Sequence, residues 1–308
     1  METNNTLQRR RRSRAYSSEA RVAYICLIPA FIGLFFLTYL PLVGVLGISL
    51  TSWTGLKSPE FVGLDNYIKL FTSDPYIKDS IVATVYFAVL SVIGSMLYSL
   101  FIAMLLNRKI PARGFFRAVF YVPYVLPAVA IYVGWSWLYE GNFGFFNYIL
   151  SELGMKKILF IADSSYVVPS LSLISVWLAG NLIVIFLAGL QNVPGVYHEA
   201  AEMDGANGWQ RFRHITLPCM TPIIFYNLLM SLIANLQVVT PALALTNGGP
   251  GNSSRFLTYL MYDQAFVNYK LGYACATTVI IFAILASFTV VLFKTSNLWI
   301  HNEGGDEK

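Results

Sequence analysis

The sequence predicts an all-α integral membrane protein with six transmembrane helices and both termini in the cytoplasm. Three observations carry that expectation. Hydrophobic residues fill 56% of the 308 positions and charged residues 12%, with a mean hydropathy of +0.59. A soluble domain carries roughly 25% charge. The charges are clumped, which leaves long uncharged intervals. And 14 of the 21 lysines and arginines fall on one side of those intervals. Disordered chains and nucleic-acid-binding domains need far more charge than this, so both classes are excluded.

Each span lies between charges and has room for the ~20 apolar residues a bilayer demands. The first follows Arg21 and is strongly apolar from Val22 to Leu50, with no charge before Lys57. It is too long for the ~7–15-residue core of a signal peptide, and no clear A-x-A site closes it. It reads as a retained signal anchor. The second runs near Ile81 to Leu106, between Asp79 and Arg108. The third, near Ala118 to Tyr139, lies between Arg117 and Glu140. The fourth, near Val167 to Leu190, lies between Asp163 and Glu199. The fifth, near Pro222 to Leu245, lies between Arg213 and Arg255. The sixth, near Gly272 to Phe293, lies between Lys270 and Lys294. Aromatic residues sit at the ends of the third span, Tyr121 and Tyr124 at one, Trp135, Trp137 and Tyr139 at the other, as at a membrane–water interface.

Orientation follows from the basic residues. Arg9, Arg10, Arg11, Arg12, Arg14 and Arg21 precede the first span. Arg108, Lys109, Arg113 and Arg117 fall between spans two and three. Arg211 and Arg213 fall between four and five, and Lys294 and Lys308 follow the last. The positive-inside rule puts this group in the cytoplasm, and an even span count then puts both termini there. Beside a membrane span, the arginine run is a topology signal with some attraction for lipid headgroups, not a nucleic-acid patch. The expected organisation is a basic tail (1–21), a membrane domain (22–295) holding a cytoplasmic loop (190–218), and a short tail (296–308). Cys26, Cys219 and Cys275 give no disulfide framework and read as packing residues.

No Asp, Glu, Lys, Arg or His lies inside the six predicted spans. Ion-coupled carriers and membrane-embedded enzymes place such groups at depth, because those groups do the work. No G-x-x-x-x-G-K-[ST] occurs, so this chain does not bind ATP through a P-loop. No metal or cofactor site is expected. If transport is driven, its energy source sits on another chain. Uncharged polar residues do occur at depth: Asn181 in the fourth span, and Asn227, Asn235, Gln237 and Thr240 in the fifth, before Pro241. Interhelical hydrogen bonding is one reading of each. A solute pathway is the other, and there Asn235 and Gln237 lead, with Asn181 and Thr240 beside them. Pro241 would leave carbonyls unpaired, which fits a helix lining a cavity.

The cytoplasmic loop reads LQNVPGVYHEAAEMDGANGWQRFRHITLP from Leu190 to Pro218. Pro194 suits a first helical turn and Val196 to Asp204 a short helix. Gly205 permits a sharp turn. A second short helix fits from about Gly208 to His214, with Asp204 as a candidate cap. His198, Glu199, Glu202, Asp204 and His214 are too irregularly spaced for any metal motif.

Within this loop stand Glu199, Ala200, Ala201, Gly205, Ile215, Leu217 and Pro218. Their spacing, E-A-A-x3-G-x9-I-x-L-P, resembles the EAA signature of ABC importer permeases with every position filled. Asp204, Gly205 and Ala206 resemble the D-G-A of the carbohydrate-uptake branch. Gly248 to Gly251 resembles a segment of the first of that branch's two permeases, the maltose/glycerol-phosphate type. Further matches are Phe61 to Tyr67, Arg117 to Pro127 and Phe143 to Asn147, so the resemblance runs from about residue 22 to 295. The maltose permease itself has extra N-terminal helices and a large external domain, so this chain resembles the compact six-helix form.

The resemblance implies a type I ABC importer permease fold and a non-enzymatic subunit of a binding-protein-dependent sugar importer. It implies a bacterial or archaeal cytoplasmic membrane, a second and different permease subunit, a cytoplasmic ATPase dimer that holds the ATP and Mg, and an extracytoplasmic solute-binding protein. Glu199 would pair with a basic group on the ATPase, Ala200 and Ala201 would allow close approach, and Gly205 would turn the chain, with Asp204 beside it. A neutral mono- or oligosaccharide fits spans without charge. A glycerophosphate-type ester is the alternative, but wants a cation near the pathway. An ATP-independent carrier would have no use for the loop.

Overall fold

The computed structural model describes residues 22–56, 58–296 and 298–299. The basic tail at 1–21, Lys57 and most of the tail expected at 296–308, Lys308 included, lie outside the described residues. Within them the regular elements are helices, apart from one isolated bridge between Thr51 and Phe61.

Three helices are long and apolar enough to cross a membrane unbroken: α1 (Val22–Ser49), α3 (Ile77–Asn107) and, last in the chain, α13 (Leu271–Ser296). At 1.5 Å per residue even the shortest spans ~39 Å, more than the ~30 Å of hydrocarbon. Between α1 and α3 lies the short α2 (Asp65–Thr72).

The third expected span is not one helix. It is α4 (Arg113–Val125) followed by α5 (Ala128–Leu138), bent by 99°. Proline explains the break. Leu126 precedes Pro127 and takes the extended conformation, φ −70° and ψ 149°, to which a following proline ring restricts its neighbour. Pro123 has already removed one backbone donor inside α4. After α6 (Phe145–Glu152) the fourth expected span is also broken, into α7 (Val167–Trp177) and α8 (Gly180–Asn192), bent by 48°. Gly180 closes that break tightly: a Cβ there would stand 2.8 Å from the carbonyl oxygen of Phe120 on α4. The cytoplasmic loop forms α9 (Gly195–Met203) and α10 (Gly208–Cys219). A 66° bend leads into α11 (Thr221–Leu236), with Pro222 in its first turn. The fifth span was expected to reach Leu245, but α11 stops at Leu236. The chain resumes as a helical turn at 240–241 that widens into a π turn, Ala242–Thr246, so Pro241 stands in the first turn of a new helix rather than in the interior of α11. The short α12 (Leu257–Tyr262) precedes α13.

α3 is the central post. It buries Ser80, Thr84, Ser91, Ser95 and Ser99 together with Ala83, Ala88 and Ala103. Lipid tails are as apolar as leucine, so helices in a bilayer associate by close fit rather than by hydrophobic drive. Small residues supply that fit: a Cβ on Gly94 would stand 2.6 Å from Cγ2 of Val176 on α7. Towards one end, Phe87 packs with Tyr139, Leu171 and Phe256. Towards the other, Ala103 and Leu106 pack with Phe186 and Leu190 of α8 and Met220 at the α10–α11 bend.

Candidate functional site

Asn181, Asn235, Gln237 and Thr240 line a single cavity of about 380 Å³. It sits where the three interrupted helices meet. Tyr124, Leu126 and Ala128 come from the α4–α5 break, Leu178 and Ala179 from the α7–α8 break, and Gln237 to Pro241 from the end of α11. Irregular backbone at membrane depth is tolerated where it lines a cavity, because there its freed polar groups find partners. Asn235 is buried and fixed. It donates from Nδ2 to the Ser231 carbonyl at 2.8 Å and accepts from Ser175 Oγ at 3.0 Å. Among the described residues, the side chains of Asn181, Gln237 and Thr240 show no hydrogen bond of this kind. No charged residue lines the cavity. Asn227, by contrast, is wholly buried and reaches the Leu182 carbonyl at 3.4 Å, an interhelical tie outside the cavity.

The cytoplasmic loop forms a braced corner. α9 ends in a Schellman closure: the Ala206 N–H donates to the Ala201 carbonyl at 2.9 Å, and the Gly205 N–H to that of Glu202 at 3.0 Å. Gly205 takes the left-handed conformation this closure needs, with φ +76°. Asp204 ends α9 and does not start α10. The cap of α10 is Asn207, which forms a reciprocal capping box with Gln210, the two bonds being 2.9 and 2.8 Å. Pro194 caps α9 from outside its first turn. Glu202 pairs with Arg211 and ties the two helices together. Glu199 and Ala200 face solvent and Ala201 is half-buried. Among the described residues, Glu199 has no ion pair or side-chain hydrogen bond. Val196 and Met203 on the same helix and Trp209 on α10 are exposed as well. α10 does not stop at His214 but continues through a π turn, Phe212–Thr216, to Cys219.

Residues 95–296 match the family described as the binding-protein-dependent transport system inner membrane component. The chain belongs to this family. Among its relatives is YesP of Bacillus subtilis (strain 168), named a probable ABC transporter permease protein, 35% identical over 99% of this chain and 100% of its own. The trehalose/maltose transport system permease protein MalF of Thermococcus litoralis is 31% identical over 90% of this chain and 94% of its own. MsmF of Streptococcus mutans, from a multiple sugar-binding transport system, is 33% identical over 84% and 89%. A chain of a bacterial ABC transporter for alginate import superposes with a TM-score of 0.79 over 92% of this chain and 98% of that one, at 21% identity. That likeness shows the fold.

In this permease, sequence reasoning missed the serines of the cavity wall. Ser95, Ser175 and Ser231 line it with Tyr124 and Tyr132. Serine is common in packed membrane helices, so only its convergence on the breaks marks it. It also missed the buttress behind the corner. Arg113 Nε donates to the Leu106 carbonyl at 2.5 Å. With its amide oxygen turned towards them, Gln191 accepts from Arg113 Nη2 at 3.1 Å and Arg117 Nη2 at 2.9 Å. These bonds tie the end of α8, just before the corner, to α3 and α4.

Proposed function

We propose that the chain is one transmembrane permease subunit of an ATP-driven, binding-protein-dependent sugar importer. One observation carries the reading. α8 and α11, the two helices that flank the α9–α10 corner, both run to the cavity, where Asn181 stands at the far end of α8 and Asn235 at the far end of α11. α8 has 13 residues, so ~20 Å of rigid helix separates the two sites. A displacement of the corner therefore moves two walls of the cavity together.

In this reading each bent pair is one span, which with α1, α3 and α13 makes six, and the arginine-rich connections face the cytoplasm. The corner docks into a separate ATPase dimer, which holds ATP and Mg. Glu199 meets a basic group there, Ala200 and Ala201 permit close contact, and Asp204 and Gly205 set the turn. ATP binding draws the corners of two different permeases together and opens the pair outward, where a solute-binding protein delivers the sugar. The membrane is the cytoplasmic membrane of a bacterium or archaeon. Amides, hydroxyls and two tyrosines without a charge suit a neutral saccharide, which must exchange hydroxyl hydrogen bonds with water for equivalent ones in the wall. The trehalose/maltose and multiple-sugar systems of the relatives support the same class.

The test is uptake of radiolabelled saccharides into proteoliposomes holding the whole complex. Asn235→Leu and Gln237→Leu should each cut uptake by roughly tenfold, the equivalent of about 1.4 kcal/mol, with assembly intact. Undiminished uptake of every saccharide transported by the wild type would remove the cavity from the pathway.

A further inference from the structure

A second, larger concavity of about 560 Å³ lies at the end of the bundle opposite the corner, where α1 ends and α3 and α13 begin. It shares no lining residue with the first. We propose that it is an independent saccharide-binding site on the outward end of the permease.

The wall is held in place before any ligand arrives. Asn66 Nδ2 donates to the Ser49 and Thr51 carbonyls, each at 2.8 Å, pinning the end of α1 to α2. The Gly272 N–H donates to the Trp53 carbonyl at 2.9 Å, pinning the same strand of chain to α13. The approach there is so close that a Cβ on Gly272 would overlap the Thr51 carbonyl oxygen at 1.9 Å. Asp74 is fixed as an acceptor, since Tyr273 Oη donates to its Oδ2 at 2.5 Å and the Tyr76 N–H to its Oδ1 at 2.7 Å.

The chemistry of that wall is mixed. Lys270 offers an ammonium with no ion pair among the described residues, and Lys69 a second one already shared with Asp65 at 2.5 Å. Asp74 and Gln264 offer acceptors, and Gln264 Oε1 is buried with no hydrogen-bond partner among the described residues. Trp53, Tyr76 and Tyr273 supply aromatic surface. An inorganic anion would meet the Asp74 carboxylate and bring no donor to Gln264 Oε1. A cation would meet two ammonium groups. A hydroxyl both donates and accepts, so a polyhydroxylated solute answers both kinds of group at once, and its apolar ring face can lie on an aromatic side chain. The proposal leans on the sugar-permease reading for the outward orientation of this end and for the choice of probe; the lining selects the class by itself.

Saturation-transfer NMR on the whole complex in nanodiscs, without binding protein or nucleotide, tests this with maltose, trehalose and maltopentaose at millimolar concentration. Wild type should give a signal with at least one of them. Trp53→Ala and Lys270→Ala should each weaken it at least roughly fivefold, about 1 kcal/mol of binding, while Asn235→Leu keeps most of it. Trp53→Phe, which keeps an aromatic face, should restore signal, and co-purification of the ATPase shows that each variant assembles. A signal lost in Asn235→Leu but unmoved by Trp53→Ala, or no signal from any of the three sugars, overturns the proposal. Uptake of the same sugars with the binding protein present judges the importer reading separately: uptake without an outer-site signal sinks this inference alone.

Discussion

Gly205 is the residue on which the corner turns. Its φ of +76° costs an L-residue about 1–2 kcal/mol, and more when the side chain is β-branched. Gly205→Val should therefore leave the membrane helices folded, by circular dichroism, while ATPase co-purification falls sharply. Glu140 makes a second prediction. Its carboxylate accepts the Phe143 N–H at 2.7 Å and the Asn142 N–H at 2.6 Å, and the first of these bonds leads in holding its pKa below the ordinary 4.5. The sign follows: the ionised form is favoured by folding, so its contribution is complete above about pH 4.5 and lost as pH falls through the lower folded value. Amide exchange at Asn142 and Phe143, corrected for intrinsic rates, should show steady protection from pH 7 to 5 and loss below 4.5. Glu140→Gln should weaken that protection already at pH 7. Asn235, picked out in the sequence by depth and polarity, lies in the cavity wall. Its bonds to Ser231 and Ser175 fix it in the wall, so it presents a set geometry to the cavity rather than a loose amide.

At the scale of elements, α1, α3 and α13 were legible because an uncharged apolar run of this length has one stable solution in a bilayer. The three bent spans were not. Charge spacing reports where a segment enters and leaves the membrane, not whether it runs straight between. The signal was present in Leu126–Pro127 and in Pro222, but proline also sits harmlessly at helix starts, so only the fold separates the two cases. The helical corner is legible from Gly205, yet the candidate cap, Asp204, is not the one used: Asn207 has the capping-box partner three residues on. Asn207→Ala should destabilise α10 by about 0.5–2 kcal/mol, seen as faster amide exchange across its first turn. The α7–α8 break makes a harsher prediction. A side chain at Gly180 meets backbone atoms of Phe120 and Tyr121 that cannot swing aside. Gly180→Leu should push α4 from α8 and abolish stable assembly, read by size-exclusion chromatography in detergent.

At the scale of the molecule, composition separates membrane from water, and the placement of charges marks off the segments that can cross. Neither reveals that three interrupted helices share one cavity, because that depends on how residues as far apart in sequence as Ser95 and Pro241 come to line one space. What the chain adds to its family signature is a mechanical layout: an exposed corner, two rigid helices, and a cavity walled by their far ends. The central claim is that force enters at the corner. The most direct test is Glu199→Lys in the assembled complex, measuring binding-protein-stimulated ATP hydrolysis and sugar uptake in the same proteoliposomes. The account predicts that both fall together by roughly tenfold or more, about 1.4 kcal/mol of lost docking, while the membrane domain stays folded. Hydrolysis and uptake that both remain at the wild-type level would contradict it.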